Sequence, residues 1–82
     1  MNLSEQIREF IINNFLFGDQ GELTNDTSFL DSGIIDSTGI LEVITFLEET
    51  FEISVNDDEL LPENLDTVKN IVRFIEQKKN VQ

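Results

Sequence analysis

Apolar positions recur at helical spacing three times along the chain. Leu3, Ile7, Phe10 and Ile11 follow one another at steps of four, three and one, which is one face of a 3.6-residue period. Asn2, with Glu5 three residues on, resembles a capping box in which Asn takes the Ser/Thr position. Asn13-Asn14 and then Gly18-Asp19 weaken and end this first pattern. The second stripe, Ile40, Leu41, Ile44, Leu47 and Phe51, is the strongest, with Glu42, Thr45, Glu48 and Glu49 mostly on other faces. It predicts a helix from about Ser37 to about Phe51, with Asp36 or Ser37 as its N-cap. Val43 and Phe46 widen the apolar arc, so this helix should touch neighbours on two sides. The third stripe is Val68, Ile71, Val72 and Ile75. Asp66 or Thr67 can cap its start, and Lys78 and Lys79 lie near its end, where cations suit the helix dipole.

The segments between the stripes are unequal. Gly18 to Asp36 is long and holds Phe29, Leu30, Ile34 and Ile35. Connections beyond about 12–15 residues are usually functional or disordered, and the apolar residues argue that this one packs on the core. Asn56 to Leu61 can form a short helical turn with Asp57 and Asp58 at its start, and Pro62 separates it from the last stripe. Ile53-Ser54-Val55 is too short to establish a strand. The expected fold is all-α: one domain over 1–82, a small bundle of three main helices plus a short helix, with a long first loop. Phe10, Phe15, Phe29, Phe46, Phe51 and Phe74 are expected to fill it.

Composition removes whole classes of chemistry. The 82 residues include no Cys and no His. Disulfides, thiolate nucleophiles, zinc fingers and Ser-His-Asp triads are therefore excluded. Five Lys+Arg against 17 Asp+Glu give a net charge of −12. Such a charge argues against nucleic acid and anionic membranes as partners and for basic proteins. Between Arg8 and Lys69 no base occurs, and residues 9 to 68 hold fifteen acids. Neither a signal-peptide pattern nor an apolar run of about 20 residues is present, so cytoplasm and a monomer are the expectation.

The remaining chemistry is modest. Adjacent acids such as Glu48-Glu49 diverge by about 100° on a helix and do not form an acid/base pair. An EF-hand loop starting at Asp26 would put Leu30 and Asp31 where a ligand and a Gly belong, so no metal site is expected. What stands out is Asp36-Ser37, where the long loop meets the second helix. Backbone N–H groups at a helix N-terminus favour a bound or attached phosphate. From physics alone, Ser37 reads as an ordinary N-cap, a phosphorylation site or an attachment site.

Leu30-Asp31-Ser32-Gly33-Ile34-Ile35-Asp36-Ser37, then Leu41-Glu42-Val43-Ile44 and Leu47-Glu48-Glu49-Thr50-Phe51-Glu52-Ile53, resembles the acyl and peptidyl (aminoacyl) carrier proteins of the stand-alone type. Asp66-Thr67-Val68 with Ile71 and Ile75 resembles that family's last helix. The resemblance covers nearly the whole chain. It implies a carrier rather than an enzyme, with 4′-phosphopantetheine on Ser37 and Asp36 as the adjoining motif residue. Asp31-Ser32 is a decoy, since only Ser37 stands in register with Leu47 and Phe51.

The resemblance further implies a phosphopantetheinyl transferase using coenzyme A and Mg²⁺, and an adenylating or acyl-transferring loading enzyme. Downstream enzymes would use the thioester and dock basic patches against Asp36, Glu42, Glu48, Glu49, Asp57 and Asp58. Ile40, Val43, Ile44, Phe46 and Leu61 are candidates for a cleft that takes the arm or its cargo. Thr38-Gly39 departs from the Leu and acidic residue usual in fatty-acid carriers, which favours a carrier of a specialised pathway. The alternatives are a housekeeping fatty-acid carrier, a D-alanyl carrier and, from another class, an acidic interaction or inhibitor protein with no prosthetic group.

Overall fold

The computed structural model describes residues 2–18, 21 and 23–80. Five α-helices and one 3₁₀ turn follow in order: α1 (Leu3–Phe15), α2 (Phe29–Ser32), α3 (Gly39–Phe51), the 3₁₀ turn (Asp57–Glu59), α4 (Pro62–Leu65) and α5 (Val68–Asn80). No strand occurs among the described residues. No helix there is long and apolar enough to cross a membrane.

The three long helices coincide with the three apolar stripes, and their caps are those of the local sequence. Asn2 Oδ1 accepts the Glu5 N–H at 2.9 Å, which satisfies one orphan donor of α1. At the other end Leu16 and Gly18 both donate to the Ile12 carbonyl. Gly18 can do so because it sits at φ +86°, a region that glycine enters without steric cost. Thr67 Oγ1 accepts the Asn70 N–H at 2.9 Å and caps α5. Asp66, the other candidate for that cap, is used elsewhere.

Asp66 instead ties the long loop down. Its carboxylate accepts from the Ser28 hydroxyl and from the Leu30 N–H, and its carbonyl accepts the Phe29 N–H at 2.8 Å. These bonds hold the single turn of α2 against the α4–α5 junction. The Lys69 N–H adds a bond to the Asn25 carbonyl at 3.0 Å, and Arg8 reaches the Leu23 carbonyl at 3.2 Å from α1. α2 and α4 were not expected from the pattern, because four residues are too few to show a period. Pro62 stands at the first position of α4, where its missing N–H costs nothing.

The core lies where the long helices meet. Ile7, Ile11, Val43, Leu47, Ile71 and Ile75 are fully buried, each contributing about 1.5–3 kcal/mol by leaving water. Phe29 and Ile35 of the loop join them, as the embedded apolar residues implied. The aromatic expectation needs correction. Phe29, Phe51 and Phe74 are buried, but Phe10, Phe15 and Phe46 only pack against the core and stay half-exposed.

Candidate functional site

The chain enters α3 through Asp36, and this residue sets the geometry of Ser37. Asp36 Oδ1 accepts the Gly39 N–H at 2.7 Å, and the Asp36 carbonyl accepts the Ile40 N–H at 3.1 Å. Asp36 therefore does the capping, although regular α3 starts at Gly39. Ser37 lies one residue inside, in the first turn, and is exposed. The reading of Ser37 as the N-cap is corrected accordingly. Its hydroxyl has no hydrogen-bond partner among the described residues. Ser32 is the opposite case. It sits at the end of α2, its hydroxyl donates to the Ser28 carbonyl at 2.6 Å, and Gly33 turns the chain away at φ +77°.

Gly39 is fitted to its place. A Cβ there would lie 3.0 Å from Phe15 Cε1 and 3.1 Å from Ile35 Cγ2. The absent side chain lets the Phe15 ring close against the first turn of α3. Glycine costs helix propensity at such a position, and the structure gives a packing reason for it.

Ser37 opens on an apolar cleft of about 140 Å³. Ile35, Phe29 and Leu65 form its buried floor, and exposed Leu30, Leu60 and Leu61 flank it. Of the five cleft candidates, Ile40 and Leu61 line this space with Ser37. Val43 does not, because it faces inward and is buried in the core. Ile44 packs half-buried against that core. Phe46 lies on the α1 side, its ring stacked on Phe10 at 4.0 Å. The stripe at 40–51 includes residues of more than one face, and periodicity does not say which neighbour each face meets. Leu30 and Leu60 were missed; the apolar Leu60-Leu61 pair before Pro62, inside an acidic run, was the available signal.

The acids divide in the same way. Glu42, Glu49, Asp57 and Asp58 are exposed. Asp36 is exposed but already holds the Gly39 N–H. Glu48 is half-buried, and its carboxylate accepts the Val55 N–H at 2.9 Å. It fixes the chain leaving α3, so it is not a free docking carboxylate. Four of the five cations are engaged inside the fold: Arg8 with Leu23, Arg73 with the Glu63 carbonyl, Lys78 with Glu59 and Lys79 with the Phe51 carbonyl. The Lys78 ammonium, hydrogen-bonded to Glu59 at 2.8 Å, holds the Glu59 carboxyl below its ordinary range, helped by the Asn56 N–H. Residues 9 to 68, Ser37 among them, hold no base of their own, so the stretch that bears Ser37 is anionic.

An exposed, unpartnered hydroxyl beside an apolar cleft fits a phosphate-linked arm. Ser37 can carry the ester, the first turn of α3 offers N–H groups and a favourable dipole to the phosphate, and the cleft can take an apolar end.

Comparison with known proteins points to one family. Residues 15–75 match the family described as phosphopantetheine attachment site. An acyl carrier protein of Buchnera aphidicola subsp. Acyrthosiphon pisum (strain Tuc7) is 38% identical over 81 residues, 99% of this chain and 96% of that one. A holo acyl carrier protein from Nitrosomonas europaea, solved by NMR, superposes with a TM-score of 0.79 at 30% identity, covering 99% of this chain and 100% of that one. A chain in a crystal structure of an FAD-dependent dehydrogenase superposes at 0.75 with 26% identity, covering 84% of this chain and 97% of that one.

Proposed function

Because this chain belongs to the phosphopantetheine-attachment family of acyl carrier proteins, we propose that Ser37 is the residue that bears its 4′-phosphopantetheine. The single observation that carries this is the free, exposed Ser37 hydroxyl at the start of α3, set against the spent hydroxyl of Ser32. When attached, the group supplies a thiol that holds an acyl or aminoacyl group as a thioester, chemistry this chain lacks without Cys. The chain itself is a carrier, not an enzyme. Asp36 fixes the turn that presents Ser37, and the first turn of α3 stabilises the phosphate charge. Residues 1–82 act as one carrier domain, in the cytoplasm.

The cargo is short. A space of about 140 Å³ is close to the ~150 Å³ cavity that holds a benzene and below the ~300–1,000 Å³ of drug-sized pockets. That size, with Thr38-Gly39 at the first turn, supports an aminoacyl or short acyl group and a specialised pathway. The chain matched in the crystal structure of an FAD-dependent dehydrogenase is itself carrier-sized, since 97% of it is covered. This supports a flavin-dependent dehydrogenase among the downstream enzymes. A second reading, a general acyl carrier of primary metabolism, is favoured by the curated relative at 38% identity, whose name is simply acyl carrier protein.

Incubation with coenzyme A, Mg²⁺ and a broad-specificity phosphopantetheinyl transferase tests the site by intact mass. Wild type and Ser32→Ala gain one phosphopantetheine, and Ser37→Ala gains none. Modification of Ser37→Ala would overturn the assignment.

A further inference from the structure

Two walls of the Ser37 cleft come from segments far apart in sequence. Phe29 and Leu30 of α2 belong to one, and Leu60, Leu61 and Leu65 in and before α4 to the other. Of the residues that line the cleft, only Ser37 and Asp66 have polar side chains. Both carboxylate oxygens of Asp66 are engaged by α2: Oδ1 accepts the Leu30 N–H at 3.0 Å, and Oδ2 accepts the Ser28 hydroxyl. The Asp66 carbonyl accepts the Phe29 N–H at 2.8 Å, and Ser28 Oγ accepts the Asp31 N–H at 3.1 Å. The first three N–H groups of α2, which have no partner inside a helix, thus end on Asp66 or on the hydroxyl that Asp66 holds. A single turn has little stability of its own. Phe29 is fully buried and keeps α2 on the core. Leu30 is 48% exposed, so the core grips this edge of the wall weakly and the Asp66 bonds fix it.

We propose that the Ser28–Asp66 latch is a length stop for the cargo: it sets how long an acyl chain the cleft accepts. The proposal rests on the reading that the arm delivers its cargo into this cleft. With the latch closed, the Phe29–Leu30 wall is bonded to the α4–α5 junction. The space left is about 140 Å³, room for about six carbon atoms by comparison with the ~150 Å³ cavity that holds benzene. A longer chain has to part Leu30 from Asp66. That leaves a carboxylate oxygen and an N–H unpaired beside hydrocarbon, which costs more than one further CH₂ gains by leaving water. Ser28 and Asp66 are positioning residues here, acting on cargo length through the wall they hold. Because Phe29 anchors α2 from inside, cutting the latch frees the wall and keeps the fold.

The test charges the carrier from butyryl-, hexanoyl-, octanoyl- and decanoyl-coenzyme A with a broad-specificity transferase, and intact mass confirms each acyl arm. Cleavage by hydroxylamine, which needs a thioester open to solvent, is then timed for every chain length. In wild type, protection should rise to hexanoyl and go no further. In Ser28→Ala and Asp66→Ala it should keep rising to octanoyl and decanoyl, by about fourfold for each CH₂ newly taken out of water. Ser28→Thr keeps the hydroxyl and should restore the wild-type limit. Thr67→Ala removes the neighbouring cap of α5 but not the latch, and should lower stability without moving the limit. The same limit in wild type and both latch variants would overturn the proposal. So would protection that rises through decanoyl in wild type, a limit moved equally by Thr67→Ala, or no protection of any chain. A carrier that gains no acyl arm speaks against the attachment reading alone. The length series is then repeated with free S-acyl pantetheines on the apo proteins, followed by the Ile35 and Leu65 methyl shifts, and the same outcomes decide.

Discussion

At the scale of single residues, Gly39 joins the sequence and the site most closely. By propensity alone, Ala would gain about 1 kcal/mol of helix stability over Gly there. Its Cβ would have to fit 3.0 Å from Phe15 Cε1, 3.1 Å from Ile35 Cγ2 and 3.3 Å from Asp36 Oδ1. The Phe15 ring is half-exposed and can give way; Ile35 is buried and cannot. Overpacking costs about 1–3 kcal/mol, so the packing term wins. Gly39→Ala should lower stability by a net of about 1 kcal/mol in urea denaturation, from the balance of those two terms. It should also slow phosphopantetheine transfer to Ser37, because Asp36 Oδ1 is pushed off the Gly39 N–H. A stabilised Gly39→Ala protein would mean that the first turn of α3 relaxes freely and that glycine has no packing role.

At the scale of elements, two lysines in the last turn of α5 tie it to the end of α3 and to the 3₁₀ turn. Lys79 donates to the Phe51 carbonyl at 2.9 Å and so caps α3, whose last turn has no base of its own. Lys78 pairs with Glu59 at 2.8 Å and pins the 3₁₀ turn, which also closes its own capping box with Asn56. The sign of the pH dependence follows. The folded protein holds the Glu59 carboxyl below its ordinary value near 4.5. Its stabilisation is therefore complete above that value and is lost as pH falls through the lower, folded one. Thermal melts of wild type and Glu59→Gln should differ by a constant amount well above pH 4.5 and converge as pH falls below it. A gap that stays constant down to pH 3 would show that the pair carries no linkage.

How much of this was legible follows from element length. Thirteen-residue helices such as α1, α3 and α5 repeat their period often enough to be read. α2 is a single turn with a local cap at each end, Ser28 accepting the Asp31 N–H and Gly33 in the left-handed region, but four residues show no period, and its placement depends on Asp66, distant in sequence. The exposed position of Ser37 ahead of α3 was readable because Asp36 precedes it and the α3 register follows. The cleft was readable only in part. Its walls come from Leu30, Ile40 and Leu60-Leu61, and the long-range bonds of Asp66 bring the Leu30 segment to the α4–α5 junction. The Phe10–Phe46 stack was not readable, since a stripe gives a face and not the helix it meets.

At the scale of the whole molecule, the charge acts on folding and on docking with opposite signs. The net charge is −12, and the described residues hold one ion pair, Lys78–Glu59. Self-repulsion among exposed acids therefore opposes the compact state. The same unpaired acids attract basic partners and speed their encounter. Raising NaCl from 10 to 150 mM shortens the Debye length from about 30 to about 8 Å. Repulsion between carboxylates on different helices is screened over that range, while the 2.8 Å pair is affected least. Melting temperature should rise across the titration, by about 4–8 °C for each 1 kcal/mol of repulsion relieved. Phosphopantetheine transfer by a basic transferase should slow over the same range, through the encounter step rather than through turnover at saturating carrier. A melting temperature that falls with salt would mean that the acids make more favourable contacts than the structure gives them. A transfer rate indifferent to salt would mean that the anionic span between Arg8 and Lys69 solubilises the carrier without steering its partners.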